Sequence, residues 1–177
     1  VFNDKHLSWN WEWARKMYDT SREMGFAFMA GSSLPVTWRT PSVEMPLGSR
    51  ITQALCVGYG GVDSYDFHGL ETIQCMVERR RGGETGVQWI QAYRGDKFWE
   101  ALGEGVWPRP LMDSALCRSH TLTPARAGFN HVFPGVDDMR RLAPDPVAYR
   151  YEHADGLKCT MLLMSGLVKD FNFAAYV

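Results

Sequence analysis

Three runs in the last third of the chain read as strands and force the fold to contain a sheet. "VAYRYEH" leads to a turn at Ala154-Asp155-Gly156, "LKCTMLLM" follows, and "VKDFNFAAYV" closes the chain. In the last run Phe171, Phe173, Ala175 and Val177 fall on one side, while Asp170, Asn172 and Tyr176 fall on the other, the period-two pattern of a strand. The spacing predicts consecutive antiparallel strands, the first two joined by a short hairpin turn. A segment as apolar as "LKCTMLLM" needs cover on both faces. Where helices of the chain do not supply it, a second copy must, so a homo-oligomer built on the open sheet face is expected.

The first third follows a different rule. Ser8 is a good N-cap and Gly25 a good C′ residue for a helix of about four turns. Trp9, Trp13, Met17, Ser21 and Met24 recur at helical spacing beside Ala14 and read as a core stripe. "GFAFMAGSS" reads as a short, fully buried strand ending in a loop of small residues. Strand, helix and strand with short joints mark a parallel crossover unit. The proline-marked "LPVTWRTPSVEMPLG" reads as a linker, and "RITQALCVGYGG" as a strand closing on glycines. "DSYDFHGLETIQCMVERRRGG" follows as a helix, with Asp63 or Ser64 as its cap and "ERRRGGE" as its solvated end. "GVQWIQAYRG" is a further strand. Residues 104–146 carry six of the nine prolines, which predicts one short helix near 111–118 among surface excursions. The fold class is therefore α/β passing into α+β: a remnant of a parallel β-α-β unit, then an open, mainly antiparallel sheet with helices on one face.

At 177 residues, 45% apolar and 22% charged, the chain suits one substantial globular core. Its 19 basic and 20 acidic side chains exclude the basic excess that nucleic-acid binding requires. No apolar run reaches the roughly 20 residues of a membrane-spanning helix, and no charged-then-apolar secretory leader is expected. Cys56, Cys75, Cys117 and Cys159 lie far apart without metal-ligand spacing, so reduced thiols and a cytoplasmic location are expected.

Three groups of residues could do chemistry. Asp4-Lys5-His6 stands at the carboxyl end of the first strand, where open parallel sheets bind ligands. A lysine there can hold a hydroxyl or carbonyl oxygen, or serve simply as a surface charge. In "GYGGVDSYDFHGLE", His68 heads a helix beside Asp63 and Asp66, a placement suited to general acid/base work. Asp66, His68 and Glu71 also form the core of a rival reading, a stand-alone hydrolase with or without a divalent metal. In "GSSLPVTWR", Ser32, Ser33, Trp38 and Arg39 can line a polar cleft or simply satisfy a turn. A non-catalytic ligand-binding or oligomerising domain is the remaining alternative. His120, His131 and His153 have no partner identifiable from spacing. No glycine-rich phosphate cradle occurs in the chain.

Taken together these segments resemble the second half of the glucose–fructose oxidoreductase/inositol dehydrogenase (Gfo/Idh/MocA) family, in particular a divergent bacterial branch. "VFNDKHLSWNWEWARKMYDTSREMGFAFMAGSS" is similar to that family's passage from a strand ending in Glu-Lys-Pro into a helix and a short strand. "GYGGVDSYDFHGLE" is similar to its glycine run, aspartate and histidine, with the aspartate's register falling on Ser64. The resemblance implies residues 1–40 as the end of a Rossmann-like domain whose nucleotide-binding part precedes them. It implies residues 41–177 as the substrate and oligomerisation domain. It also implies NAD or NADP as hydride carrier for a small-molecule sugar, polyol or related hydroxy compound. Lys5 would contact both substrate and nicotinamide, and His68, aided by Asp66 or Asp63, would move the proton. No resident metal is implied.

Overall fold

The computed structural model describes residues 1–124 and 133–177. The first part is small. Strand β1 (Phe2–Asn3) pairs in parallel with β2 (Met29–Ala30), and helix α1 (Trp11–Glu23) connects them. Asn10, not Ser8, caps α1: its Oδ1 accepts from the Glu12 and Trp13 amides at 2.8 and 3.3 Å. Gly25 ends the helix as expected, at φ 68°.

The supposed core stripe of α1 is not core. Trp9 is 87% exposed, Met24 72%, and Trp13 and Met17 are also exposed, leaving Ser21 as the one buried residue of the helix. The short strand β2 is likewise exposed at both of its residues. Helical spacing identifies a face to be covered, and no other element among the described residues covers this one.

The main body holds strands β3 (Gln53–Gly58), β4 (Val87–Arg94), β5 (Val147–His153), β6 (Lys158–Leu163) and β7 (Asn172–Tyr176) in the order β4-β5-β6-β3-β7. Three of the four pairings are antiparallel and β3–β6 is parallel. The fold is α+β with a mainly antiparallel sheet. The hairpin at Ala154-Asp155-Gly156 joins β5 to β6 as read, but β7 does not continue the meander. It crosses beyond β6 to pair with β3, which needs both of its edges satisfied as a central strand.

Helices cover both faces of the sheet rather than one. Helix α2 (Asp66–Val77) packs Ile73, Met76 and Val77 with Ala54, Cys56, Cys159 and Met161. Helices α3 (Asp96–Gly103), α4 (Arg109–Leu116) and α5 (Val136–Leu142) pack on the other side, where Leu55, Val57, Ala148 and Leu162 meet Phe98, Trp107 and Met112. Alternate residues of one strand thus serve two cores, which is why β3 and β6 read as continuous apolar runs. Helix α4 sits where a helix was expected, α5 is a second helix within the proline-rich 104–146, and α3 precedes that stretch in a segment for which no element was expected.

The "ERRR" run is not simply solvated. Arg80 is buried, and its guanidinium meets Asp155 at 2.7 Å, tying the end of α2 to the β5–β6 turn. That hydrogen bond, against the opposing effect of burial, lowers the Asp155 carboxyl to about 2. All four cysteines are free, and no helix among the described residues is long and apolar enough to cross a membrane.

Glycines set how closely the layers approach. A Cβ at Gly69 would lie 2.7 Å from Met161 Cγ and 2.9 Å from its sulfur. A Cβ at Gly58 would fall on the Phe171 ring. Gly58→Ala should therefore cost about 1–3 kcal/mol through overpacking, lowering the thermal midpoint by roughly 2–12 °C for a chain of this size. A melting curve that matches the parent protein would contradict this account of the β3–Phe171 contact.

Candidate functional site

Strand β3 leaves the sheet through Gly58-Tyr59-Gly60-Gly61 and feeds the start of α2. The glycines here are occupied by rings. Gly60, at φ 98°, lies so close under Tyr65 that no Cβ fits, and Phe171 covers Gly58. Tyr65 and Phe171 stack with planes 9° apart, and His68 contacts both, with ring centroids at 5.6 and 6.2 Å. His68 thus stands half-buried against an aromatic wall at the first turn of α2.

The small unit meets α2 at this point. Gly31 passes directly over Glu71, where an added Cβ would be 2.9 Å from Glu71 Oε2, and its φ of 131° favours glycine at this point of the loop after β2. Ser32 follows, and its Oγ lies 2.5 Å from His68 Nδ1. The same oxygen accepts from the Leu34 amide at 3.0 Å, which fixes the hydroxyl at the start of the 3-10 turn Leu34–Val36. With its proton turned to Nδ1, Ser32 leaves His68 an Nε2–H donor; with Nδ1–H donating to Oγ, Nε2 becomes a base. On the other side His6 packs edge-on against Phe67, at 5.7 Å between centroids.

Asp4 and Lys5 complete the cluster. Lys5 Nζ donates to the Asp4 carbonyl at 2.7 Å and its carboxylate at 3.0 Å, and both side chains remain exposed. The Lys5 carbonyl accepts from Gly31 N at 3.0 Å, so the β1 end and the Gly31–Ser32 loop form one ledge beside His68. The electrostatics at the imidazole are mixed. Burial and the Lys5 ammonium push His68 below its ordinary value, while Asp4 and Asp66 pull it up without overcoming them. His68 is accordingly neutral at pH 7.

Asp66 is not a hydrogen-bond partner of His68. Its Oδ1 accepts from the Phe67 amide at 2.9 Å, and its Oδ2 accepts from the Asp63 amide at 3.2 Å and the Tyr149 hydroxyl at 3.1 Å. It fastens the helix start to β5. Neither Asp63 nor Ser64 caps α2; Tyr65 stands at the cap, Asp63 sits exposed at φ 64°, and Ser64 Oγ bonds Gly61 O. Burial and the adjacent Asp66 push Tyr149 up to about 12, so this phenol stays a donor. Burial and Glu78 raise the Glu71 carboxyl.

The other expected residues lie elsewhere. Ser33 is exposed, and Trp38 and Arg39 belong to a separate cavity further along α2. Arg39 pairs with Glu44 and reaches Cys75 Sγ at 3.6 Å. His153 is buried against Glu84 at 3.3 Å, His120 lines the separate cavity, and His131 lies outside the described residues. Asp66, His68 and Glu71 point to different partners, and among the described residues no three His, Cys, Asp or Glu side chains are placed to hold a metal ion. Tyr149 and Phe171 escaped the sequence reading because nothing in their local pattern distinguishes a site residue from a strand residue.

Comparison of the chain with protein-family models, curated proteins and solved structures gives no match.

The charges around His68 give a direct test. By NMR titration its imidazole should protonate below the usual histidine value; Lys5→Ala should raise the midpoint and Asp66→Asn should lower it further. The unfolded chain takes up this proton first. The group's contribution to stability is thus complete above the ordinary imidazole pKa and is lost as pH falls from there toward the lower folded value. A midpoint unmoved by Lys5→Ala would show that the lysine is not beside the ring.

Proposed function

We propose that the chain supplies the substrate-facing part of a nicotinamide-dependent oxidoreductase acting on a sugar, a polyol or a related hydroxy compound. One observation carries this reading: two segments distant in sequence, Asp4-Lys5-His6 and Asp66-Phe67-His68, meet around one imidazole. Their resemblance to the corresponding segments of the glucose–fructose oxidoreductase/inositol dehydrogenase family supports the same conclusion. A cation beside a neutral histidine is the pairing that alcohol oxidation needs. The cation favours the oxygen as it becomes negative, and the imidazole accepts its proton.

In this mechanism the substrate hydroxyl lies between Lys5 Nζ and His68 Nε2, since Nδ1 is engaged by Ser32. Ser32 Oγ accepts a hydrogen bond from Nδ1–H when the ring acts as a base, which holds the ring in place. The hydroxyl proton moves to Nε2, and the positive charge then formed on the ring is opposed by Lys5 and favoured by Asp4 and Asp66. A nicotinamide, when bound, supplies the hydride acceptor. The residues fit its ring end at the exposed Lys5 ledge. They offer no glycine-rich turn for the pyrophosphate, because the glycines ahead of α2 lie under Tyr65 and Phe171. Among the described residues the chain should therefore hold a dinucleotide weakly.

The β4 edge supports a homo-oligomer. Val87, Trp89 and Ile90 are exposed on an eight-residue outer strand, and a second copy related by a two-fold axis can pair with the same edge. Light scattering at tens of micromolar should report a dimer or larger species, and a monomer would remove this surface from the account.

His68→Ala should reduce alcohol oxidation about a hundred-fold or more and abolish the acidic limb of its pH–rate profile. Lys5→Ala should lower turnover and also weaken substrate binding. Unchanged turnover with an intact acidic limb in His68→Ala would refute the oxidoreductase mechanism.

A further inference from the structure

Past the first turn of α2, the helix face that carries His68 continues through Thr72, Cys75 and Met76 into a cavity of about 430 Å³. This is the size of a small-molecule site, for which roughly 300–1,000 Å³ is usual. The residues 34–43 form one wall and the start of β7 forms the other. Its body is apolar, with Leu34, Pro41, Met76, Phe171 and Phe173. Trp38 stands at the lining with its side chain fully exposed at 100%, offering a bare indole face without a packing partner.

The charged groups are few and of one dominant sign. Two arginines, Arg39 and Arg118, stand against one aspartate, Asp170. Arg39 is engaged by Glu44, the Pro35 carbonyl and Cys75. The Asp170 carboxylate is turned to donors of its own, with Ser119 Oγ at 2.8 Å, the His120 amide at 2.9 Å and Asn172 Nδ2 at 2.7 Å. The Arg118 guanidinium makes no hydrogen bond or ion pair among the described residues, and the neighbouring His120 ring makes none either. An unengaged guanidinium at the rim of an apolar cavity matches a planar carboxylate joined to an apolar body. With Arg39 paired to Glu44 and the Asp170 carboxylate met by its own donors, Arg118 is the one unpaired cation among the described lining residues, which suits a monoanion better than a phosphate.

We propose that this cavity binds a small amphipathic monocarboxylate, its acid group on Arg118 with His120 beside it and its apolar body between Trp38 and Phe171. The site does not depend on the oxidoreductase reading, because Lys5, Ser32, Asp66 and His68 take no part in it.

Calorimetric titration of the chain with phenylacetate, benzoate and octanoate tests this, with tryptophan fluorescence as a second readout. At least one carboxylate should bind saturably with a dissociation constant below about 10 mM. Its neutral counterpart (2-phenylethanol, benzyl alcohol or octanol) and acetate should each bind about tenfold more weakly or worse. Arg118→Ala, at an exposed position just past the end of α4, should weaken the carboxylate by about tenfold with an unchanged melting curve. Trp38→Phe should remove most of the fluorescence response while leaving calorimetric binding within about threefold. His68→Ala should bind as the parent does, so failure of the catalytic mechanism leaves this result untouched. Absence of saturation for all three carboxylates, equal binding of a neutral counterpart, or full affinity in Arg118→Ala would overturn the proposal.

Discussion

The close approach of α2 to the sheet at Gly69 governs the placement of every polar group around His68. With Met161 Cγ only 2.7 Å from where a Cβ would lie, a side chain at this position would push α2 or Met161 of β6 aside. The neighbouring position, His68, is carried to the rim of the sheet instead of standing above it. Two further glycines extend the same logic. Gly58 and Gly60 give up their side-chain space to Phe171 and Tyr65, whose stacked rings form the wall behind the imidazole. A glycine run before a helix suggests a phosphate cradle, yet here that space is filled by aromatic carbon. The sequence therefore uses its glycines to build a hydrophobic seat for a titratable ring.

The elements with strict periodicity were legible. The β5–β6 hairpin, the alternation of β7, the strand at 53–58 and the helix carrying His68 all follow from spacing and turn residues. Partners across the chain were not. Nothing local in "VKDFNFAAYV" says that its strand leaves β6 to pair with β3; that follows only from the buried central strand's need for two neighbours. The α1 stripe shows the converse limit. Trp9, Trp13 and Met17 have the pattern of a buried face, but pattern specifies that a surface wants cover and never that the cover is present. The candidate site was legible as residue types, since Lys5, His6, Ser32 and His68 do gather. Its wiring was not, because the Tyr149–Asp66 and Ser32–His68 bonds link positions 83 and 36 residues apart.

That wiring gives Asp66 a different part from the one its neighbour in sequence suggested. Both of its oxygens are committed to the Phe67 and Asp63 amides and to Tyr149. It acts on His68 through space, as a fixed charge, while it clamps the helix start to β5. Removing the charge and removing the clamp are separate operations. An amide in its place loses the field and keeps one acceptor oxygen, enough for the Asp63 and Tyr149 donors but not also for the Phe67 amide, so Asp66→Asn removes the charge while keeping most of the clamp. A truncation to alanine removes both and is the poorer probe.

The small β1–α1–β2 unit touches the body through few points, and those points are the site. Gly31 rests on Glu71, Ser32 bonds His68, His6 lies against Phe67, and the 3-10 turn Leu34–Val36 packs beside α2. The distance between Lys5 and the imidazole is therefore set by the joint between two sheets and not by either sheet alone. A ligand held by both partners stabilises the joint by its binding energy, and a change in the joint alters the ligand's environment by the same amount. The lysine's effect on the imidazole has the same origin. It depresses His68 because the ledge brings a cation to the ring's side, and any shift of the unit away from α2 relaxes that depression along with the Ser32 bond. The charge state of one histidine thus reports the closure of the joint, which ties the proton chemistry of the site to the seating of the unit that carries Lys5.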